Sequence, residues 1–288
     1  MFQYSTEILL LTRSIHPEEL YCWLIWHLNI LHFDHVVLFD NESPIDVNSV
    51  ISKFPKEKIE YYYIKGWPNQ YKLYNEYLKS PKAQWTIALD DDEYLYLSDL
   101  YNSNIHSFIE SLTESYKDTN KFYILWTNMF SKEPIEEYSE LFINTHTYYS
   151  YDACRLIKGV WPEDNGWGKT LINNNFSYIY TSEKNLGHIP TCVNGNDKNI
   201  LVRNGAEINS AHLNTFIINN LYPHAFIAHY QYKNKKDWKL KCNTQIATHP
   251  TFTIKNKINV YSNLYDHKSL FQSCTLLKER LDDYIADK

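Results

Sequence analysis

An α/β fold, with a mostly parallel sheet carrying helices on both faces, is the class that this sequence predicts, and three observations predict it. Short apolar runs alternate with segments of helical period through the first hundred residues. Several of those runs end in polar residues, Arg13, Asp40-Asn41 and the acids 90–93, and the carboxyl ends of parallel strands are where such sheets bind ligands. Beyond the acids the alternation loosens, which predicts a less regular C-terminal half.

Ile8-Leu9-Leu10-Leu11-Thr12 reads as a first buried strand ending at Arg13. From Pro17 the period changes to that of a helix. Leu20, Trp23, Leu24, Leu28 and Leu31 share one face, and proline suits the first turn. Residues 35–40 form a second strand, with Asn41-Glu42-Ser43-Pro44 a turn by composition. A short helix over 46–53, a strand over 59–64 and a helix over 69–79, with Leu73, Tyr77 and Leu78 inward, lead to a fourth strand beginning at Trp85. A helix follows over 97–115 and a strand over 122–126. Residues 131–140 are acidic, contain Pro134 and read as a loop or short helix. Three of the seven glycines fall between 159 and 168, marking tight backbone around Trp161, Glu163, Asp164 and Trp167. An apolar run over 221–230 ends in His229-Tyr230, and a basic stretch spans 233–241. A last helix is expected near His267, with Leu270, Phe271, Cys274, Leu277, Leu281 and Ile285 inward. The division expected is a domain over 1–245, with halves 1–100 and 101–245, and a helical extension over 246–288.

Composition excludes several classes. A net charge of −6 with no long basic run argues against a nucleic-acid groove. The five cysteines are odd in number, scattered and without C-x-x-C spacing, which speaks against a disulfide framework or structural zinc and for a reducing compartment. No apolar window is long enough for a signal core or membrane span, so a soluble, cytoplasmic chain is expected, with peripheral contact at the inner face of the plasma membrane left open. No G-x-G-x-x-G or G-x-x-x-x-G-K-[ST] is present, so phosphates would be handled by a metal and side chains.

Asp90-Asp91-Asp92-Glu93 is the stretch that carries chemistry. Four carboxylates between two hydrophobic segments raise one another's pKa values unless something positive is near, and a divalent cation is the simplest partner. In extended backbone Asp90 and Asp92 share a face, and two hard oxygen donors suit Mn2+ or Mg2+ completed by phosphate oxygens. The alternative is that the acids cap the next helix or line a solvated loop.

With these residues in view the chain resembles the GT-A-fold (Rossmann-like) glycosyltransferases, specifically the family 2-like and family 92-like group. The segment from Glu19 to Ser43, E-x-x-x-W-x-x-x-H-x-x-x-x-x-x-D-H-x-x-L-x-D-N-x-S, looks like that group's first helix and second strand. Trp85 to Leu95 looks like its W-x-x-x-x-D-x-D-E-[FY]-L signature, with Gln70 and Asn75 in the helix before it. His229-Tyr230, Lys233 and Trp238 resemble its closing H-Y-x-x-K-S segment, with Asn234 in place of serine. Gly168-Lys169-Thr170 and His188-Ile189-Pro190 fit a lysine-bearing strand and a histidine of the group. The resemblance spans about residues 7–242.

The resemblance implies a nucleotide-diphosphate sugar donor, a glycan or lipid-linked glycan acceptor, and a role in surface polysaccharide synthesis, of capsule or lipopolysaccharide. Asp90 would lie near the donor ribose, Asp92 with Asp90 would hold the metal, and His229 would close its shell. Arg13, Asp40 and Asn41 would approach the nucleotide. Gln70, Asp91, Lys169 and Lys233 would complete the donor site, the lysines adding charge to that of the metal. A general base for the acceptor hydroxyl is also required, and Asp164 and Glu163 are the candidates, with a solvated acidic turn as the alternative reading. His229 also reads as a hydrogen-bonded core residue, and residues 233–241 as a solvated helix face. Two rival functions remain: a nucleotidyltransferase acting on sugar phosphates, and a non-catalytic carbohydrate-binding protein.

Overall fold

A computed structural model describes residues 1–66, 69–156, 167–180, 189–195, 197–203, 205, 207, 221–243, 245–246, 249–253 and 259–288. The strands are β1 (Tyr4–Thr12), β2 (His35–Asp40), β3 (Ile59–Tyr63), β4 (Ala83–Ala88), β5 (Glu93–Leu97), β6 (Lys121–Phe130), β7 (Tyr148–Tyr149) and β8 (Gly168–Asn173). There follow β9 (Tyr178–Ile179), β10 (Thr191–Cys192), β11 (Asn199–Leu201), β12 (Ala225–His229), β13 (Gln245–Ile246), β14 (His249–Thr253) and β15 (Gln272–Ser273). The helices are α1 (Pro17–Ile25), α2 (Val47–Ile51), α3 (Gln70–Tyr77), α4 (Ile105–Ser115), α5 (Phe142–Thr145), α6 (Tyr151–Leu156), α7 (Lys235–Asn243), α8 (Val260–Tyr265) and α9 (Leu276–Ala286).

The main sheet runs β15-β7-β6-β8-β4-β1-β2-β3, with β11 and β12 joined to β6 and β5 to β12. From the parallel and antiparallel pairings, β1, β2, β3, β4, β6, β11, β12 and β15 point one way and β5, β7 and β8 the other. The sheet is therefore mostly parallel, as the sequence predicts. β9 with β10 and β13 with β14 form two small separate pairs.

The side-chain alternation of a strand explains the two helical layers. In β1, Ile8 and Leu10 enter the large core shared with Leu20, Trp23 and Trp26 on one face and with α4 residues Ile105 and Phe108. Leu9 and Leu11 enter a second core with Tyr71, Tyr74 and Leu78 around α3. β2 splits in the same way, Val36 and Leu38 to one core and Val37 and Phe39 to the other. Helix starts follow the local chemistry: Asp46, Asn69 and Asn104 each accept from a backbone N–H in the first turn of α2, α3 and α4.

Four expectations are corrected. The Pro17 helix does not run as one regular helix through Leu31, because residues Trp26–Ile30 form a π-helical turn, which swings Trp26 and His27 against β5. The inward face of the α3 segment is wider than expected: Leu78 is buried and Leu73 and Tyr77 pack partly buried against the same core, as expected, but Gln70, Tyr71 and Tyr74 are buried there too. The helix expected over 97–115 begins only at Ile105, because residues 93–97 pair as β5 with β12 and Asn104 supplies the cap. The helix expected from His267 is broken: Lys268–Leu270 is a 3-10 turn, β15 pairs with β7, and α9 starts at Leu276 with Leu277 and Leu281 buried and Ile285 exposed. Among the described residues no helix is long and apolar enough to cross a membrane, and the five cysteines are buried thiols outside any disulfide.

β8 is inserted antiparallel between β4 and β6, and Gly168 opens it with its Cα against the backbone of β6. A Cβ there would overlap the Ile124 carbonyl oxygen. Gly168→Ala is therefore expected to lower unfolding stability by about 3 kcal/mol in urea titration, the upper end of the cost of overpacking.

A candidate donor site at the acidic turn

The acidic stretch follows β4 and is not extended. Leu89 N–H still donates to the Leu9 carbonyl, then the Glu93 N–H donates to the Asp90 carbonyl at 3.1 Å, closing a turn over 90–93 before β5 begins. The expectation that Asp90 and Asp92 share one face by strand alternation is therefore corrected: a turn, not an extended segment, sets their directions.

The turn is gripped from both sides. The indole N–H of Trp23 in α1 donates to the carbonyl oxygens of Asp90 (3.1 Å) and Glu93 (2.9 Å), and Trp26 donates to Leu95 at 2.7 Å. His27 faces the Trp23 carbonyl through Nδ1 at 2.9 Å, while Nε2 accepts from the Leu95 N–H, and burial pulls its pKa down to about 3, so the ring is neutral. On the far side Tyr230 N–H donates to the Asp92 carbonyl at 2.8 Å. The tryptophan stripe thus packs the core, as expected, and also orients the turn.

Each acid then takes a different partner. Asp90 accepts from Gln70 Nε2 at 3.1 Å and from the Lys169 ammonium at 3.1 Å. Glu93, fully buried, lies 3.2 Å from the same ammonium and accepts the Asp90 N–H at 2.9 Å. One buried cation faces two carboxylates, and burial leaves Glu93 with a pKa raised well above the usual range. Burial works against the Lys169 charge, but Asp90 and Glu93 outweigh it and hold its pKa above the ordinary lysine value. Asp91 accepts from the Thr12 hydroxyl; burial raises its pKa, against the pull of Lys233.

Asp92 receives the Lys241 ammonium on Oδ2 at 3.0 Å, and its Oδ1 lies 3.7 Å from His229 Nε2. Burial pushes its pKa up, but Lys241 and Lys233 together hold the carboxyl well below the usual range. Strand register places His229, which sits opposite Glu93 in the β12–β5 pair. Its ring lies 4.5 Å from that of Trp126, its Nδ1 has no hydrogen-bond partner among the described residues, and burial lowers its pKa to about 4, so it is a neutral imidazole.

Asp40, Asn41 and Arg13, expected to approach a nucleotide, gather at the same sheet edge. Asp40 is buried and accepts from the Ser43 N–H (2.9 Å) and the Tyr61 hydroxyl (2.9 Å). Asn41 donates its amide to the carbonyls of Ile64 and Gly66. Arg13, at the end of β1, is exposed, and the Lys233 ammonium lies 4.5 Å from the Phe142 ring centre. Asn234, the departure from the resembling motif, performs the work expected of a serine there: its Oδ1 accepts from the Asp237 N–H at 2.8 Å and caps α7. Glu163, Asp164 and His188 lie outside the described residues.

For a divalent ion, Asp92 and His229 are the donors that come together. Among the described residues no group of three or more His, Cys, Asp or Glu side chains is placed to hold a metal, and Asp90 points to Lys169 and Gln70 instead. A carboxylate oxygen and a neutral imidazole nitrogen with an orphaned second nitrogen nevertheless suit one ion, because two donors each about 2.1 Å from a shared ion stand roughly 3 to 4 Å apart. The pair fits an ion that draws its other ligands from a bound phosphate.

Two charged residues escaped the sequence reading. Lys241 is one of several lysines in α7, and only the packing of Trp238 and Cys242 decides which of them points at the turn. Glu19 enters the sequence reading only as the first residue of the resembling segment, yet it is buried, its Oε1 accepts from the Phe142 N–H at 3.0 Å and, among the described residues, its Oε2 has no hydrogen-bond partner.

No protein-family model matches the chain, and no curated protein is similar to it, so the family 2-like and family 92-like likeness remains one of motifs. Among solved structures the chain is similar to S. aureus TarS 1–349 in complex with UDP, at 12% identity and a TM-score of 0.41, covering 70% of this chain and 59% of that one. It is similar to TarS 1–349 without a named ligand at 12% identity and a TM-score of 0.40, covering 92% of this chain and 71% of that one. It is also similar to the 4-diphosphocytidyl-2C-methyl-D-erythritol synthase of Anaerococcus prevotii, at 9% identity and a TM-score of 0.31, covering 60% of this chain and 71% of that one.

Burial pushes Glu19 up to about 7 from 4.5, with Lys233 pulling the other way. A carboxyl with a raised folded pKa contributes stability that is fully present below its unfolded value and lost as pH rises through the folded one. The window is therefore roughly pH 4.5 to 7. Glu19→Gln removes that loss, so between pH 5 and pH 8 its unfolding free energy is expected to gain about 3 kcal/mol relative to the parent, as read by urea unfolding at both pH values.

Proposed function

We propose that this protein is a glycosyltransferase that takes a hexosyl group from a nucleotide-diphosphate sugar and passes it to a glycan or lipid-linked glycan. The observation that carries the reading is the Asp92–His229 pair set beside three lysines at the carboxyl edge of a mostly parallel sheet, with Asp40, Asn41 and Arg13 on the same edge. That edge is where an α/β sheet binds ligands, and its mixture of buried acids and cations suits a diphosphate with a counter-ion.

In this reading Asp40, Asn41 and Arg13 meet the base and ribose end of the donor. Gln70 and Lys169 hold Asp90 in a fixed direction toward the ribose, since Gln70 donates to its Oδ1 and Lys169 to its Oδ2. Asp92 and His229 would hold Mn2+ or Mg2+, which would supply positive charge to stabilise the departing diphosphate. Lys233 lies near Asp91 and Asp92 and adds positive charge on the same side. Asp164 or Glu163 takes the proton of the acceptor hydroxyl. The place of the reaction is surface polysaccharide synthesis, of capsule or lipopolysaccharide, at the inner face of the plasma membrane; the motif resemblance supports this.

A screen of nucleotide sugars for slow donor hydrolysis tests the reading. Release of UDP or GDP supports it, whereas pyrophosphate release from a nucleoside triphosphate and a sugar phosphate would favour a nucleotidyltransferase. Asp92→Asn is expected to lower the release rate at least ~100-fold, the scale of losing one preorganised electrostatic group, and to abolish metal-dependent UDP binding while circular dichroism stays unchanged. Near-parental rates in that variant would overturn the assignment of Asp92.

A further inference from the structure

The two lysines at the acidic turn differ in a way that the donor reading alone does not explain. Lys169 is sealed inside β8, its side chain 3% exposed, between Asp90 and Glu93. Lys241 has 48% of its side chain in solvent and meets the turn only through its ammonium, on Asp92 Oδ2. Its helix is anchored without it, since Trp238 and Cys242 of α7 are buried in a separate cluster with Tyr232 and Leu264. Asp92 is therefore neutralised by a charge on a flexible four-carbon stem standing on a fixed platform.

That ammonium occupies the carboxylate which, with His229, is the donor pair for a divalent ion. A monovalent and a divalent cation sharing one carboxylate repel each other, so Lys241 and the ion compete for Asp92. Bringing a diphosphate to the same edge changes the balance, because it offers the ammonium new oxygens of higher charge.

We propose that Lys241 is a diphosphate-binding residue that holds the cation's place in the donor-free protein. Its ammonium satisfies Asp92 until a nucleotide diphosphate arrives, then exchanges the carboxylate for phosphate oxygens and frees Asp92 and His229. Cation and nucleotide thereby bind with positive coupling, each strengthening the other by the same factor. The donor-free site is kept from trapping stray divalent ions, and Asp92 is never left buried and uncompensated. This inference rests on the donor reading above, and the experiment separates the two.

Mn2+ binding to the full chain is measured by electron paramagnetic resonance of the free ion, and UDP binding by calorimetry, each with and without the other. The parent protein, Lys241→Met and Lys236→Met are compared; Lys236 lies on the same helix but pairs with Glu137 at 3.1 Å. Lys241→Met is expected to bind Mn2+ about 10-fold tighter than the parent without UDP, and to bind UDP about 10-fold more weakly without Mn2+. The factor by which UDP improves Mn2+ affinity should shrink about 10-fold, with Lys236→Met behaving like the parent. Equal Mn2+ affinity in Lys241→Met and the parent overturns the exchange, as does an equal gain in Lys236→Met, which would make the effect one of net charge. Absence of UDP binding in every sample would overturn the donor reading itself, while normal UDP binding with an unchanged Mn2+ titration removes Lys241 alone.

Discussion

Compensation of four consecutive carboxylates inside a folded protein is the constraint around which this molecule is arranged. A turn bearing Asp90, Asp91, Asp92 and Glu93 between two apolar strands is untenable in isolation, because burial and mutual repulsion both oppose ionisation. The chain answers with cations from distant segments: Lys169 from β8, Lys241 from α7 and Lys233 just before that helix. These segments lie 76 residues or more beyond the turn in sequence, the separation of Lys169 from Glu93. The turn can be formed only when the two halves of the chain are packed together, so the site and the fold are one cooperative unit.

Neutral groups do the positioning and charged groups the balancing. Trp23, Trp26, His27 and the Tyr230 N–H bond backbone atoms of the turn and of β5, leaving the carboxylates of Asp90, Asp91 and Asp92 to their side-chain partners. Backbone anchoring of this kind lets an ion partner move without loss of the turn. It also explains how Asp92 remains ionised and His229 neutral a few ångströms apart: the first is surrounded by positive charge, the second is desolvated against Trp126.

Much of the scaffold was legible in residue order. The strands at 35–40 and 59–63 and the helices on both faces of the sheet follow from hydrophobic period, which acts within a few residues. Legibility failed where long-range pairing overrode local pattern. Leu97 and residues 272–273 fall inside expected helices, yet β12 and β7 recruit them into strands. The direction of Asp90 was likewise misread, because a β-turn closed by Glu93 replaced the alternation of a strand.

What the sequence determined by itself is the class of the fold, the place of the acidic turn in it, and the convergence of Arg13, Asp40 and Asn41 on the same edge, since each depends on period and on strand ends. What only the tertiary structure decided is which cation faces which acid: Lys169 for Asp90 and Glu93, Lys241 and His229 for Asp92. The reason is physical. Local propensity acts over a single turn or strand, whereas an ion pair is made by the packing of elements whose order in the chain carries no record of the distance between their side chains.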